Sequence, residues 1–339
     1  MRSFLDAVRA QPENLAASAA TVRAALGSPA GAAALGALGS GRIAVLGMGA
    51  SAAAATGFAA ALREAGRPAT AVSAAECGPG LADGYLAISQ SGRSRETAEA
   101  LAAVGGARRV ALTNDPGSAV AMAADVVLPL GCGPDSRVSA LSYTATVQAL
   151  AMLAEALDPS RSTMDWSALP RLAAALLQTE IEPVVDALVT AGCVDVVGSG
   201  VRAASAAAAA LLLREAAHLS AAGYATREYL HGHLEIAGLG HGALVFGDDR
   251  ELRLAADLAR YGSNVVLITE AAGDIPAHPH LRVVRLPGLP GLPGLAGPTT
   301  LAGCVLDILP VQLAARRIAQ RKGLPIELRY MPEDTKVAS

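Results

Sequence analysis

The sequence predicts an α/β protein built from two tandem doubly wound domains, each a parallel sheet covered by helices on both faces. Short apolar runs, such as RIAVL at 42–46, alternate with alanine-rich stretches of helical length. Strands that are apolar throughout are typical of parallel sheets buried on both faces. The alternation starts again in the second half, where Gly198-x-Gly200 follows the first apolar run as Gly47-x-Gly49 does earlier.

The first half begins with a predicted helical arm, which covers about residues 2–26. Strand candidates follow at residues 42–46, 69–73, 85–88, 109–112 and 126–130. Helices are expected between these strands, one of them ending near Arg63 and another starting near Ser94. We therefore assign residues 1–28 to the arm and residues 29–160 to the first α/β domain.

The second half repeats this organisation after DPSRST, which breaks the helical pattern. Its strand candidates lie at residues 194–197, 244–246, 265–268 and 283–286. The repeated Pro-Gly of LPGLPGLPGLAG is too short for a collagen helix and predicts a loop, and a last helix is expected over about 301–321. We assign residues 167–325 to the second domain and 326–339 to a C-terminal tail.

The composition indicates closely packed cores of small residues. Hydrophobic residues make up 52% of the 339 residues, but aromatic residues only 3%. The mean hydropathy of +0.39 is high for a water-soluble protein. The most apolar stretch, 203–213, is nevertheless too short to span a bilayer, and the N-terminus lacks the long apolar run of a signal peptide. No membrane association is expected.

Charge and cysteine usage narrow the function classes further. A net charge of -3 argues against a nucleic-acid partner. The four cysteines lie far apart without C-x-x-C spacing, which indicates reduced, packed thiols in a cytoplasmic protein. The H-x-H pair of His231 and His233 raises the alternative of a metal site. We interpret the pair as histidines on a strand face without further ligands, so neither a metal nor a cofactor is expected.

The segment SQSGRSRET at 89–97 is the best candidate for a ligand site. It lies at the carboxyl end of a predicted central strand and leads into a helix, which is where open α/β sheets bind ligands. Helix N-termini and serine hydroxyls suit a phosphate, and Gly92 lets the backbone approach it. The segment contains no Lys, so it is not a nucleoside-triphosphate P-loop. The alternative is a serine-rich turn that caps the helix through Ser94.

SQSGRSRETAEAL is similar to the S-x-S-G-x-[ST]-x-[DE]-[TS] signature of the sugar isomerase (SIS) family. QPENL near the N-terminus, GMGAS at 47–51 and TNDPGS at 113–118 also resemble segments of SIS proteins related to glucosamine-6-phosphate synthase. The resemblance implies two tandem flavodoxin-like SIS domains. It also implies that a sugar phosphate is bound by Ser51, Ser89, Gln90, Ser91 and Ser94.

The stretch LLLREAAHLSAAGYATREYLHGHLE resembles the catalytic segment of the same family. The resemblance places Glu215 on the family's catalytic glutamate and His231 on its ring-opening histidine. In relatives that histidine reaches the neighbouring subunit's active site, so a homodimer is implied. Lys336 matches the family's C-terminal lysine, which lies over the sugar. Without the resemblance, Glu215 is a solvated helix end and Lys336 a surface lysine near the chain end.

The chain departs from the family pattern at several positions. Leu212 stands where the family often has Lys, three residues before the catalytic glutamate. Ala140-Leu141 replaces a Thr-Lys or Thr-Ser pair, and His233 replaces the usual Pro. The wall of the active site is therefore expected to be less cationic.

Two classes of function remain open at this point. The first is an enzyme that isomerises a ketose or amino-hexose 6-phosphate by proton transfer between C1 and C2, with coupled deamination or deglycation as variants. The second is a sensing module that binds a phosphosugar without chemistry. Because the chain has no N-terminal cysteine nucleophile, we expect no glutamine amidotransferase activity.

Overall fold

The computed structural model describes residues 2–158, 164–288, 301–328 and 335–337. Its first half contains a parallel sheet with the strand order β2-β1-β3-β4-β5. These strands are β1 (Ile43–Gly47), β2 (Ala69–Ser73), β3 (Gly84–Ile88), β4 (Arg108–Thr113) and β5 (Val126–Pro129). All five agree with the sequence prediction to within one or two residues.

The second half contains another five-stranded parallel sheet, with the order β7-β6-β8-β9-β10. Its strands are β6 (Cys193–Gly198), β7 (Ala221–Ala225), β8 (His241–Phe246), β9 (Asn264–Thr269) and β10 (Leu281–Arg285). Each sheet therefore has its second strand at one edge, beside its first. The doubly wound repeat predicted from the sequence is confirmed.

Helices cover the sheets and fill the space between them. Those of the first half are α1 (Phe4–Arg9), α2 (Gln11–Leu26), α3 (Pro29–Leu38), α4 (Ala50–Glu64), α5 (Arg95–Ala103), α6 (Ala119–Met122) and α7 (Leu141–Leu157). Those of the second half are α8 (Ala168–Leu176), α9 (Glu182–Leu188), α10 (Ala203–Ala217), α11 (Thr226–Tyr229), α12 (Arg250–Arg260) and α13 (Gly303–Arg321). Within the described part of the chain, no helix has the length and apolar character that crossing a membrane requires.

The helical N-terminal arm predicted from the sequence consists of two helices, α1 and α2. The chain breaks at Ala10 between α1 and α2, and Pro12 lies in the first turn of α2. Proline lacks a backbone N–H, so it fits the start of a helix but not its interior. The predicted loop at 286–297 lies mostly outside the described residues.

The histidine pair was expected on a strand face, and that interpretation is wrong. The chain leaves the second sheet at the end of β7 and turns into α11, where the buried Thr226 hydroxyl donates to Glu251 at 2.6 Å. His231 follows this helix, and His233 begins a 3-10 turn. Strand β7 itself has the sequence AAGYA and was not predicted, because it contains no β-branched residue.

One apolar core runs through both halves, with Phe58, Leu213 and Leu309 among its fully buried members. Helix α4 covers β1 and β2, and α10 covers β6 and β7. The two helices pack against each other, and α4 also packs against α7 while α10 packs against α13. At Gly57 of α4, a Cβ atom would lie 2.8 Å from the Cβ of Ala204 on α10. The small residues are therefore necessary for this close approach.

A buried arginine lies at the carboxyl edge of the second sheet. The guanidinium of Arg202 contacts Asp248 and Glu270, which follow β8 and β9, both at 2.7 Å, and Asp307 of α13 at 3.5 Å. Three carboxylates face one cation, and burial raises the pKa of Glu270 to about 7 and the pKa of Asp307 as well. The cluster is therefore more stable when one of its carboxyl groups retains a proton.

We expect Glu270→Gln to weaken the pH dependence of folding stability. The raised pKa of Glu270 means that its neutral form stabilises the fold fully below about pH 4.5, and this contribution is lost as pH rises through about 7. Glutamine stays neutral at every pH. Urea unfolding at about pH 5 and about pH 8 should show a smaller loss of stability in the variant than in the wild type.

Glu76→Gln, at an exposed carboxylate, is the matched control and should behave like the wild type. An equal loss of stability in all three proteins between the two pH values would contradict this account of the Arg202 cluster.

Candidate functional site

The serine loop, residues 89–94, is held rigidly between β3 and the loop that follows β4. The carbonyl oxygen of Gln90 accepts the N–H of Asn114 at 3.1 Å and the hydroxyl of Thr113 at 3.4 Å. Gly92 has a φ of +66°, and a Cβ there would lie 1.8 Å from the hydroxyl of Ser118. Only glycine fits this close contact between the two loops.

The serine loop presents several hydrogen-bond donors at one end of α5. Ser94 is the N-cap residue of this helix, but its side chain makes no capping bond and instead bonds Glu96 and Thr97. The first-turn N–H groups of α5 are therefore left without a side-chain cap. The N–H groups of Gln90 and Ser91 also donate to no described residue. Such a set of donors suits an anion.

A second loop at the same sheet edge connects β1 to α4. Gly49 has a φ of +55°, and Ser51 lies in the first turn of α4. A Cβ at Gly47 would lie 2.7 Å from the carbonyl carbon of Ser51, so the helix starts directly against the strand. Strands β1 and β3 are neighbours in the sheet, but the chain leads from β1 to β2 on one side and from β3 to β4 on the other. The loops that follow β1 and β3 therefore border one crevice.

The C-terminal tail returns to the serine loop. Lys336 forms an antiparallel bridge with Ser94, and the N–H of Val337 donates to the carbonyl oxygen of Arg93 at 2.9 Å. The Lys336 side chain is exposed at this position. The structure thus places the backbone of the expected C-terminal lysine beside the expected phosphate loop.

Glu215, near the end of α10, lines a cleft between the two halves, which we call the Glu215 cleft. The enclosed part of this cleft has room for about one water molecule, and its mouth is open to solvent. Burial raises the pKa of Glu215 to about 7, and its carboxylate makes no hydrogen bond or ion pair with any described residue. Ala50, the neighbour of Ser51, lines the same cleft. The expected base therefore lies close to the connection between β1 and α4 that carries Ser51.

His231 lies apart from these groups. Its side chain is exposed, and its backbone N–H donates to the carbonyl oxygen of Glu228 at 2.9 Å. The neighbouring His233 stacks on Tyr224 with ring centroids 4.4 Å apart. Among the described residues, no contact joins the His231 side chain to Glu215 or to the serine loop.

Three polar residues of the Glu215 cleft were not singled out from the sequence. These are Ser139 and Tyr143 near the start of α7 and Gln312 of α13. Gln312 is buried within a mostly apolar helix, and an isolated polar residue in such a stretch is the signal that could have identified it. Nowhere in the described residues do three or more His, Cys, Asp or Glu side chains converge as a metal site.

The chain resembles known proteins in sequence. A family model described as SIS domain matches residues 38–156. The curated glutamine–fructose-6-phosphate aminotransferase [isomerizing] of Caulobacter vibrioides is 26% identical over 272 residues, which cover 74% of this chain and 43% of that protein. The chain thus aligns with less than half the length of this relative.

Solved structures share the fold over nearly the whole chain. The C-terminal domain of glucosamine-fructose-6-phosphate aminotransferase from Francisella tularensis matches with a TM-score of 0.76 and 20% identity, covering 96% of this chain and 97% of that one. Tagatose-6-phosphate ketose/aldose isomerase from Escherichia coli matches with a TM-score of 0.75 and 18% identity, covering 97% of each chain. Glucosamine-6-phosphate deaminase from Thermotoga maritima matches with a TM-score of 0.70 and 16% identity, covering 97% and 98%.

Ser91→Asp tests the serine loop directly. A carboxylate at this position would stand beside the bound anion, and two like charges about 4 Å apart repel by several kcal/mol at a partly buried site. We expect the affinity for a sugar phosphate or for inorganic phosphate to fall by about a hundredfold or more, measured by calorimetry. Ser167→Asp adds the same charge at an exposed serine elsewhere and should leave binding intact. Unchanged affinity in Ser91→Asp would refute the site.

Proposed function

We propose that this chain, as a SIS-domain protein, is a phosphosugar isomerase. Its substrate would be a ketose or amino-hexose 6-phosphate. The reaction we assign is proton transfer between C1 and C2 of the sugar. Coupled deamination remains a variant of the same chemistry. Sugar-phosphate isomerases and an amino-sugar-phosphate deaminase are among the proteins that share the fold, which supports an enzyme of this kind.

The observation that carries the proposal is the carboxylate of Glu215. It is half-buried, faces a cleft, has no partner among the described residues, and has a pKa raised to about 7 by burial. A general base works best when its pKa is near the working pH, because it is then both ionised and able to hold a proton. A carboxylate at a solvated helix end has no reason to be desolvated in this way.

The proposed mechanism assigns a role to each of the expected site residues. Ser51 and the serine loop hold the phosphate, which fixes the sugar with its C1–C2 end towards the Glu215 cleft. Glu215 removes the proton from one carbon and returns it to the other. Lys336, whose backbone lies against Ser94, stabilises the negative charge of the enediolate intermediate. The exposed His231 opens the sugar ring in the active site of a partner subunit.

Glu215→Gln should reduce turnover by about a hundredfold or more, the usual scale for loss of a general base. The amide keeps the shape of the side chain, so binding of sugar phosphate should change little. In the wild type, kcat/KM should rise as pH increases through about 7, because only the ionised carboxylate accepts the proton. The variant should lack this rise. Full activity of Glu215→Gln would contradict the assignment.

Mixed dimers test whether active sites are shared between subunits. His231→Ala and Glu215→Gln should each be poorly active alone. If His231 serves the partner's site, a mixed dimer contains one site with both groups intact, and equal mixing should restore about a quarter of wild-type activity. If both groups act within one chain, every site in the mixture lacks one of them, and no activity returns.

A sensing module is the second candidate, favoured by Leu212 in place of a lysine beside Glu215. Solvent-deuterium exchange separates the two functions. A sugar phosphate that binds the wild-type protein and takes up deuterium at C1 or C2 supports the isomerase. If every sugar phosphate that binds fails to exchange, the sensing module is the better account.

A further inference from the structure

Three polar residues form a buried network in the amino half of the second sheet, which we call the Asp195 network. Asp195 lies in β6, His241 begins β8, and Ser263 directly precedes β9. Strands β6, β8 and β9 are consecutive neighbours, so the three residues lie side by side across the sheet. Asp195 is 4% exposed, His241 3% and Ser263 0%. All three lie outside the described lining of the Glu215 cleft.

The hydrogen bonds of the Asp195 network run in one direction. Nε2 of His241 lies 3.1 Å from Oδ2 of Asp195, and Nδ1 lies 2.9 Å from the Ser263 hydroxyl. Because a carboxylate only accepts, Nε2 carries the proton, and in the neutral imidazole Nδ1 then accepts the Ser263 hydroxyl. The Ser263 oxygen accepts the N–H of Gly238 at 3.0 Å. The network therefore ends on the backbone of Gly238.

Gly238 belongs to the segment that carries His231. This His231 segment, residues 231–240, joins α11 to β8, and its residues are all exposed or half-buried. The residues on either side of it are buried, since Tyr229 is 0% exposed and His241 directly follows the segment. An exposed segment with few buried contacts of its own takes its position from its attachments at the two ends.

The Asp195 carboxylate also lies near the start of the His231 segment. Tyr229 packs in the apolar layer with Val197 of β6, and Asp195, two residues earlier in this strand, lies on the same face. Burial raises the pKa of the Tyr229 hydroxyl, and the nearby Asp195 carboxylate raises it further. The Tyr229 ring lies 5.5 Å from that of Tyr224, which stacks on His233. Asp195 is therefore linked to both ends of the segment.

Stability alone does not account for polar groups in this layer. The surrounding residues of the layer are apolar, among them Val245, Leu258 and Val265. A buried pair of charged groups is often no more stabilising than apolar side chains of the same volume, because desolvation offsets the attraction. Hydrogen bonds differ from apolar contacts because they fix direction as well as distance. The polar groups therefore contribute a defined position for the chain that they hold.

We propose that Asp195, His241 and Ser263 are positioning residues that hold the His231 segment in the place that ring opening requires. A general acid or base must lie within hydrogen-bonding distance of the atom that it protonates or deprotonates. A displacement of about 1 Å can lower the rate by about a hundredfold. Without the network, His231 would keep its chemistry but lose its defined position. The inference rests on the proposed function, which gives His231 its role.

Hydrogen exchange measured by mass spectrometry tests the network on the unliganded protein. Ser263→Ala removes the acceptor of the Gly238 N–H, so the amides of the His231 segment should exchange faster than in the wild type, by about tenfold or more. Ser18→Ala is the matched control, because Ser18 is equally buried and its hydroxyl donates to the Leu130 carbonyl oxygen at 2.8 Å. Unchanged exchange of the segment in Ser263→Ala, or the same increase in Ser18→Ala, would overturn the inference.

Two sugars separate the positioning of His231 from a general loss of structure. Fructose 6-phosphate is mostly ring-closed, whereas its 5-deoxy analogue lacks the hydroxyl that closes the ring. In Ser263→Ala, deuterium uptake at C1 should fall by about tenfold or more with fructose 6-phosphate. With the open-chain analogue it should change by less than about twofold, which also reports that the variant is folded. Equal losses with both sugars would contradict a role through His231.

A double variant shows whether Ser263 acts through His231. If it does, Ser263→Ala should have no further effect in a His231→Ala background, and the double variant should react with fructose 6-phosphate as His231→Ala does. Losses that multiply in the double variant would mean that the two residues act independently, which rejects the inference. A wild-type protein that exchanges deuterium in no sugar phosphate that it binds would instead refute the proposed function. The hydrogen-exchange result would then still decide whether the network holds the segment.

Discussion

The close packing of helix α10 is the constraint on which the rest of the site depends. A Cβ at Gly57 would lie 2.8 Å from the Cβ of Ala204, and a Cβ at Gly223 of β7 would lie 2.8 Å from the carbonyl oxygen of Ala206. Helix α10 is thus held between α4 and the second sheet at distances that only glycine and alanine permit. Because the two halves meet so closely, little water reaches Glu215, and desolvation raises its pKa.

The same fold produces different chemistry at the carboxyl edges of its two sheets. Thr113 at the end of β4 and Thr269 at the end of β9 each accept, through the side-chain hydroxyl, the N–H two residues later, at 3.3 Å and 3.1 Å. In the second sheet, one oxygen of Asp248 accepts the Thr269 hydroxyl at 2.7 Å and the Glu270 N–H at 2.8 Å. The hydrogen-bond donors at that edge are therefore already bonded to a carboxylate of the protein, that of Asp248. At the first edge the serine loop keeps N–H groups that donate to no described residue, which leaves it able to take an anion.

The sequence predicted most of the sheets because buried parallel strands have a strong apolar signal. It also predicted the equivalence of two glycines, and Gly49 and Gly200 indeed have φ values of +55° and +56°. Local patterns could not predict β7, which is held at the sheet edge by a close approach to α10 and not by strand propensity. They also could not identify Gln312, because its role depends on Gln11, which is 301 positions away.

Leu212 lies one turn before Glu215, at the position where the resemblance to SIS proteins places a lysine. An ammonium group one turn away would stabilise the ionised carboxylate and hold its pKa low, so that Glu215 would bind a proton poorly at neutral pH. With Leu212 in that place, burial acts alone and the pKa rises to about 7. A carboxyl group in this range both accepts and releases a proton near neutral pH, as a shuttle between two carbons requires. The apolar wall beside Glu215 is thus the feature that brings the pKa of its carboxyl group to about 7, the range that the proposed proton transfer requires.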